Sequence, residues 1–108
     1  MSELNLDLLR KLCDERQVIW SDHIHKRLNE RGLNRKDVYN VLCCGKIIEQ
    51  YPDDYPHPSC LISGKDLKGN PLHIVVACNG AFVTMITAYF PTPQKFEKDM
   101  ETRKEKLS

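Results

Sequence analysis

Hydrophobic positions along this chain recur with two different periods, and the switch between them divides it. Over residues 3–16, Leu4, Leu8, Leu9, Leu12 and Cys13 fall three and four positions apart, which gives a helix one apolar side. Val18, Ile19 and Trp20 then interrupt with β-type residues. Ser21 is a good N-cap, Asp22 suits the positive end of a helix dipole, and Gly32 is a good C-terminal stop. A second helix is therefore predicted over 22–31. Asn34 followed by Asp37 repeats the capping pattern. Val38, Val41 and Leu42 supply the buried side of a third helix, 35–44, which ends before Gly45.

After Gly45 the period becomes extended. Lys46–Tyr51 reads as a strand, and Pro52, Pro56 and Pro58 break the chain into a loop. Ser59–Ser63, Leu72–Cys78 and Ala81–Phe90 read as three further strands, with a polar connection at 65–70 and an Asn79-Gly80 turn signal. Pro91 and Pro93 end the sheet, and the charged segment 94–107 reads as a last helix. The order predicts one α+β domain over residues 1–108, with N-terminal helices, a four-stranded, mainly antiparallel sheet and a C-terminal helix.

A two-residue turn at Asn79-Gly80 places Leu72 opposite Thr87 and His73 opposite Ile86. Strict alternation then puts Leu72, Ile74, Val76, Val83, Met85, Thr87 and Tyr89 on one face. His73, Val75, Ala77, Thr84, Ile86 and Ala88 fall on the other. Both faces are apolar in the middle, so both are expected to be covered in part. This register separates His73 from Tyr89, and a bulge would reverse that.

Composition refines the class. The 108 residues are 41% hydrophobic and 29% charged, close to the soluble globular norm, and the longest apolar run is far short of a membrane span. The first residues carry acids and no unbroken apolar stretch, so a secretory signal is not expected and a cytoplasmic location is. A net charge of +1 excludes a strongly basic or polyanionic chain. It does not exclude a compact anion site, because residues 21–50 hold six basic side chains against four acidic ones. Five cysteines, an odd number without a CxxC pair, read as reduced thiols, mostly buried. A zinc site using His57 and Cys60 stays open as an alternative.

The second helix holds the densest candidate chemistry. His23, Arg27 and Arg31 line up within roughly 80° of one another, at the rim of the side carrying Ile24 and Leu28. Arginine offers a planar donor fork to phosphate, and histidine moves a proton near neutral pH. The competing reading is a solvated rim in which Glu30 pairs with Lys26, Arg27 or Arg31. His73 on its strand is a second candidate, against a hydrogen-bonded structural histidine. Tyr39, Tyr51, Tyr55 and Tyr89 are available to stack bases. Gly-rich phosphate loops, GxSxG, HExxH and paired CxxC motifs are missing.

The segments SDHIHKRLNERGL (21–33), GKIIEQYP (45–52), GNPLHIVVA (69–77) and TMITAYFP (84–91) resemble the bacterial domain of unknown function 4258. The resemblance runs from about residue 18 to 104, leaving the helix at 3–16 as an addition. It implies a compact RelE-like fold, kinship with RelE-, MqsR- and BrnT-like toxins, and cleavage of RNA without a metal or other cofactor. On this chain it implies His23 as base or acid, and Arg27 and Arg31 on the phosphate. His73 is then a second acid or base, and Tyr89 a hydrogen-bond donor or base-stacking ring. The implied partners are RNA, including ribosome-bound mRNA, and a cognate antitoxin of the YgiT zinc-finger type, with no membrane. The alternative is a non-catalytic protein- or RNA-binding module of the same fold.

Overall fold

Each helix begins where a short polar side chain replaces the missing backbone partners. The computed structural model describes residues 3–92. Asn5 caps α1 (Leu6–Asp14) by accepting from the Leu8 amide, and Ser21 caps α2 (Asp22–Arg31) by accepting from the Ile24 amide. Asn34 and Asp37 form a reciprocal capping box on α3 (Arg35–Cys44). The α1 helix is shorter than the predicted 3–16. Its preceding segment is tied to the sheet instead, with the Leu4 backbone and the Gln50 amide exchanging hydrogen bonds of 3.0 and 2.7 Å.

The strands are β1 (Val18–Trp20), β2 (Lys46–Tyr51), β3 (Ser59–Lys65), β4 (Pro71–Cys78) and β5 (Val83–Tyr89). They form one sheet in the order β1-β5-β4-β3-β2. The expected four-stranded antiparallel sheet is therefore a five-stranded mixed one. The apolar triplet Val18–Trp20, read as an interruption, joins β5 in parallel, pairing Val18 with Val83 and Trp20 with Met85. Three residues carry too little alternation to announce a strand, and only the neighbouring edge makes them one. The final helix predicted at 94–107 lies outside the described residues.

One face of the sheet carries the core. Cys60, Ile62, Leu72, Ile74, Val76, Val83, Met85 and Ala88 pack there against Leu9, Leu12, Ile24, Leu28, Val38, Val41 and Leu42 from the three helices. Burying a side chain of this size contributes about 1.5–3 kcal/mol. The α1 helix belongs to this core: Leu9 is wholly buried, and the Arg10 guanidinium donates to the Leu42 and Gly45 carbonyls. No helix among the described residues is long and apolar enough to cross a membrane.

The β4–β5 hairpin departs from the two-residue turn. Asn79 spans a wider loop, its carboxamide oxygen accepting from the Ala81 and Phe82 amides, so pairing starts at Cys78 with Val83. Val76 pairs with Met85 and Val75 with Thr87, which leaves Ile86 as a bulge. The bulge turns Ala88 into the core in place of Thr87. Tyr89 consequently moves to the opposite face, beside His73.

Candidate functional site

The bulge at Ile86 is held from outside the sheet. Ser21 donates from its hydroxyl to the Ile86 carbonyl at 3.1 Å, and its amide donates to the Met85 carbonyl at 3.2 Å. The residue that caps α2 thus also fixes the kink in β5. Beyond the kink, His73 pairs with Tyr89, and the His73 Nδ1 and the Tyr89 hydroxyl share a hydrogen bond of 3.3 Å. Their rings meet edge to face with centroids 5.3 Å apart. The expectation that the register separates these two residues is therefore corrected.

The same line continues across the sheet. His73 pairs with Ser63, and Ser63 pairs with Lys46. Four strands therefore place Lys46, Ser63, His73 and Tyr89 side by side on the face turned away from the three helices, over roughly 14 Å at ordinary strand spacing. A second bulge, at Ile48, sets Glu49 opposite Leu61 and Tyr51 opposite Ser59 on that face, and the Tyr51 hydroxyl donates to Glu49. His73 and Ser63 are buried, Tyr89 is half-buried and Lys46 is exposed. The row is thus graded from a fully enclosed imidazole to a solvent-exposed lysine. A cavity of about 630 Å³ opens at its Lys46 end, where Asn40, Cys44, Ser63 and Lys65 also contribute.

Sequence reasoning found His73 and Tyr89 but missed Lys46, Ser63 and Glu49. The usable signal was in β5, where strict alternation forces the polar Thr87 and Tyr89 onto the apolar face of Leu72, Ile74 and Val76. A bulge resolves that conflict.

The helix row is arranged differently. Arg27 donates to Glu30 at 2.6 Å, and Arg31 lies 3.7 Å from the same carboxylate oxygen. The hydrogen bond from Arg27 holds the Glu30 carboxyl below its ordinary value. The local pairing weighed as the alternative is therefore present, at a partly exposed surface where such pairs contribute little. His23 is exposed one turn before Arg27. The α2 helix starts beside Ile86 and lies against β5, so the row and Tyr89 share the β5 side of the molecule while projecting from different surfaces.

The cysteines are free: Cys60 and Cys78 are buried, Cys13 is half-buried, and Cys43 and Cys44 are exposed. The expectation of mostly buried thiols holds for the first two and fails for the adjacent pair, which ends α3. Among the described residues no group of three or more His, Cys, Asp or Glu side chains could hold a metal, so His57 and Cys60 gain no further ligands there.

A single mixed sheet with one helix-covered apolar face, and a polar row ordered by two bulges on the other, makes this a small α+β domain with a sheet-face site. The chain belongs to the family described as Domain of unknown function (DUF4258), whose model matches residues 20–90. That span runs from Trp20 through the whole row to the end of β5, and omits α1. No curated protein and no solved structure matches the chain.

Proposed function

We propose that this chain is a toxin-like RNA endonuclease, an mRNA interferase with a RelE-like fold, which cleaves RNA without a metal. A cognate antitoxin, of the YgiT zinc-finger type, holds it inactive in the cytoplasm. The observation that carries the reading is the His73–Tyr89 pair in line with Ser63 and Lys46. It supplies an oriented phenol and a cation on one sheet face, next to a helix bearing His23, Arg27 and Arg31.

Cleavage needs little more than that. The 2′-hydroxyl gives its proton to a base, its oxygen bonds to phosphorus, and the bond to the 5′-oxygen breaks as that oxygen takes a proton. The products are a 2′,3′-cyclic phosphate and a 5′-hydroxyl. In this reading the exposed His23 takes the first proton and the Tyr89 hydroxyl serves the leaving oxygen. Arg27 and Arg31 stabilise charge on the phosphorane, and Lys46, at the far end of the row from Tyr89, holds another phosphate of the same RNA strand. His73 is enclosed, so it acts through Tyr89 as a positioning residue.

The test is an RNA-cleavage assay in EDTA, on free RNA and on translating ribosomes, with His23→Ala, Arg27→Ala and Tyr89→Phe. Losses of about a hundredfold or more are expected for each of the first and third. Cleavage unchanged in all three variants overturns the site. Induced expression is expected to arrest growth, and co-expression of the neighbouring antitoxin to relieve it.

The full burial of His73 and the engagement of Arg27 by Glu30 favour a second reading, a non-catalytic protein- or RNA-binding module. RNA bound without cleavage, together with unarrested growth, decides for it.

A further inference from the structure

The helix-covered side of the molecule carries a second cluster that the cleavage reading does not use. A groove of about 570 Å³ is lined by Arg16, Trp20, Arg35 and Tyr39 together with Cys13 and Asp14. Arg35 lies over the Trp20 ring, its guanidinium carbon 4.7 Å from the ring centroid. Tyr39 meets the same indole edge to face at 5.5 Å. Arg35 also donates to His25 Nε2 at 3.1 Å. Arginine has no acceptor, so His25 receives this bond on its unprotonated nitrogen. The guanidinium plane is therefore fixed from beneath by Trp20 and from one edge by His25, while Arg35 itself stays exposed.

Arg16 adds an independent observation. The α1 and α2 helices end with the same backbone motif. At α2 the Leu33 amide donates to Leu28 and the Gly32 amide to Asn29. At α1 the Gln17 amide donates to Leu12 and the Arg16 amide to Cys13. The left-handed residue is Gly32 in one case, at φ 66°, and Arg16 in the other, at φ 61°. Glycine is the relaxed choice at such a position. Arginine there places a second guanidinium on the groove at the expense of backbone ease. Against the two arginines stands the single carboxylate of Asp14.

We propose that this groove binds one nucleotide of single-stranded RNA, with its base stacked on the outer face of the Arg35–Trp20 pair and its phosphate on Arg16. Planar guanidinium and indole surfaces suit any base, and a neighbouring arginine suits the phosphate that accompanies it. The groove involves none of the residues assigned to cleavage; that its nucleotide belongs to RNA rests on the proposed function.

The full chain contains a single tryptophan, so its emission reports on the groove directly. Adenosine 5′-monophosphate and a short oligoribonucleotide are titrated, with ribose 5-phosphate as the probe lacking a base. Both nucleotides are expected to change Trp20 emission saturably, and ribose 5-phosphate to bind at least tenfold more weakly. Arg35→Ala and Arg16→Gly are each expected to weaken nucleotide binding at least fivefold. Arg16→Gly is expected to do so while raising the melting temperature, which separates lost contact from lost fold. A wild-type titration without saturation overturns the proposal. So does equal binding of ribose 5-phosphate, or an Arg16→Gly protein that binds as well as wild type. Adenosine 5′-monophosphate binding is read at Trp20 alone, so the groove fails or stands independently of RNA cleavage.

Discussion

Tyr89 reaches His73, at 3.3 Å, because Ile86 is left out of the β4–β5 ladder. Without that extra residue the phenol would point into the helix-covered core. Tyr89→Phe keeps the ring and its edge-to-face packing but deletes the hydroxyl. We expect it to cost about 1 kcal/mol of stability, the net value of one intramolecular hydrogen bond. We also expect RNA cleavage to fall about a hundredfold. Denaturant unfolding and cleavage measured on the same preparations separate the two effects. A phenylalanine variant that cleaves as well as wild type removes Tyr89 from the chemistry.

The two ends of this relationship were unequally legible in the sequence. Ser21, Gly32, Asn34 and Gly45 mark the helix ends through local chemistry, so α2 and α3 could be read residue by residue. The strands β2 to β5 followed from alternation and turn residues in the same way. Bulges are different: at Ile48 and Ile86 they depend on which face the neighbouring strands and helices cover, and this is non-local. That is why the row Lys46–Ser63–His73–Tyr89 was half seen. The parallel pairing of β1 was hidden for the same reason, since three residues acquire strand character only from β5.

Ser21 links the helix to the bulge, so its loss acts on both. Ser21→Ala removes the cap acceptor for the Ile24 amide and the donor to the Ile86 carbonyl. A cap alone costs about 1 kcal/mol, and the added bond brings the expected loss to about 2 kcal/mol. For a domain of this size, that lowers the melting temperature by about 8–16 °C. Faster hydrogen exchange at β5 amides around Ile86 is the specific signature. Exchange unchanged there would mean the bulge is held by other contacts.

Gly45 joins α3 to β2 at a point where no side chain fits. A Cβ there would press on the Ser63 carbonyl and lie 2.5 Å from the Val41 carbonyl. Neither backbone group can withdraw without moving β3 or α3. Gly45→Ala is expected to destabilise the protein by about 3 kcal/mol through this overpacking. It should also displace Lys46, the exposed end of the row. Chemical denaturation reads the first effect. An alanine variant as stable as wild type would show that the junction yields freely.

Thiol reactivity should follow burial. Burial pushes the Cys13 thiol up to about 12 and the Cys60 thiol up to about 12, so both stay protonated near pH 8. Cys43 and Cys44 are exposed. Brief treatment of the native protein with iodoacetamide at pH 8 should therefore alkylate the Cys43–Cys44 peptide first. Peptide mass spectrometry after partial reaction checks the order, and early labelling of Cys60 would contradict it.

Acid should loosen the connection between β3 and β4. Burial alone would raise the Asp66 carboxyl, but hydrogen bonds from Asn70 and from the Lys68 amide overcome it and hold the group below its ordinary 3.8. A folded value below the unfolded one stabilises the native state above pH 3.8, and the gain disappears as pH falls through the folded value. Stability should therefore drop below about pH 4 more steeply in wild type than in Asp66→Asn, which carries no titrating group there. Urea unfolding between about pH 2 and 6 supplies the comparison. Parallel curves for the two proteins would exclude Asp66 as a source of the acid sensitivity.

Glu30 decides how far the arginines of α2 are available to a phosphate. Its carboxylate accepts from Arg27 at 2.6 Å and stands 3.7 Å from Arg31, so an incoming phosphate must compete with it. Removing that charge leaves both guanidinia in place and takes away the competitor. Because the pair is exposed, Glu30→Gln should leave stability nearly unchanged. If Arg27 and Arg31 contact RNA, the same change should tighten RNA binding about three- to tenfold. It should also steepen the salt dependence, by up to about one further phosphate neutralised. Titrations of a short RNA at several salt concentrations test this. Unchanged affinity and slope would leave the row as a solvated helix rim without a part in RNA binding.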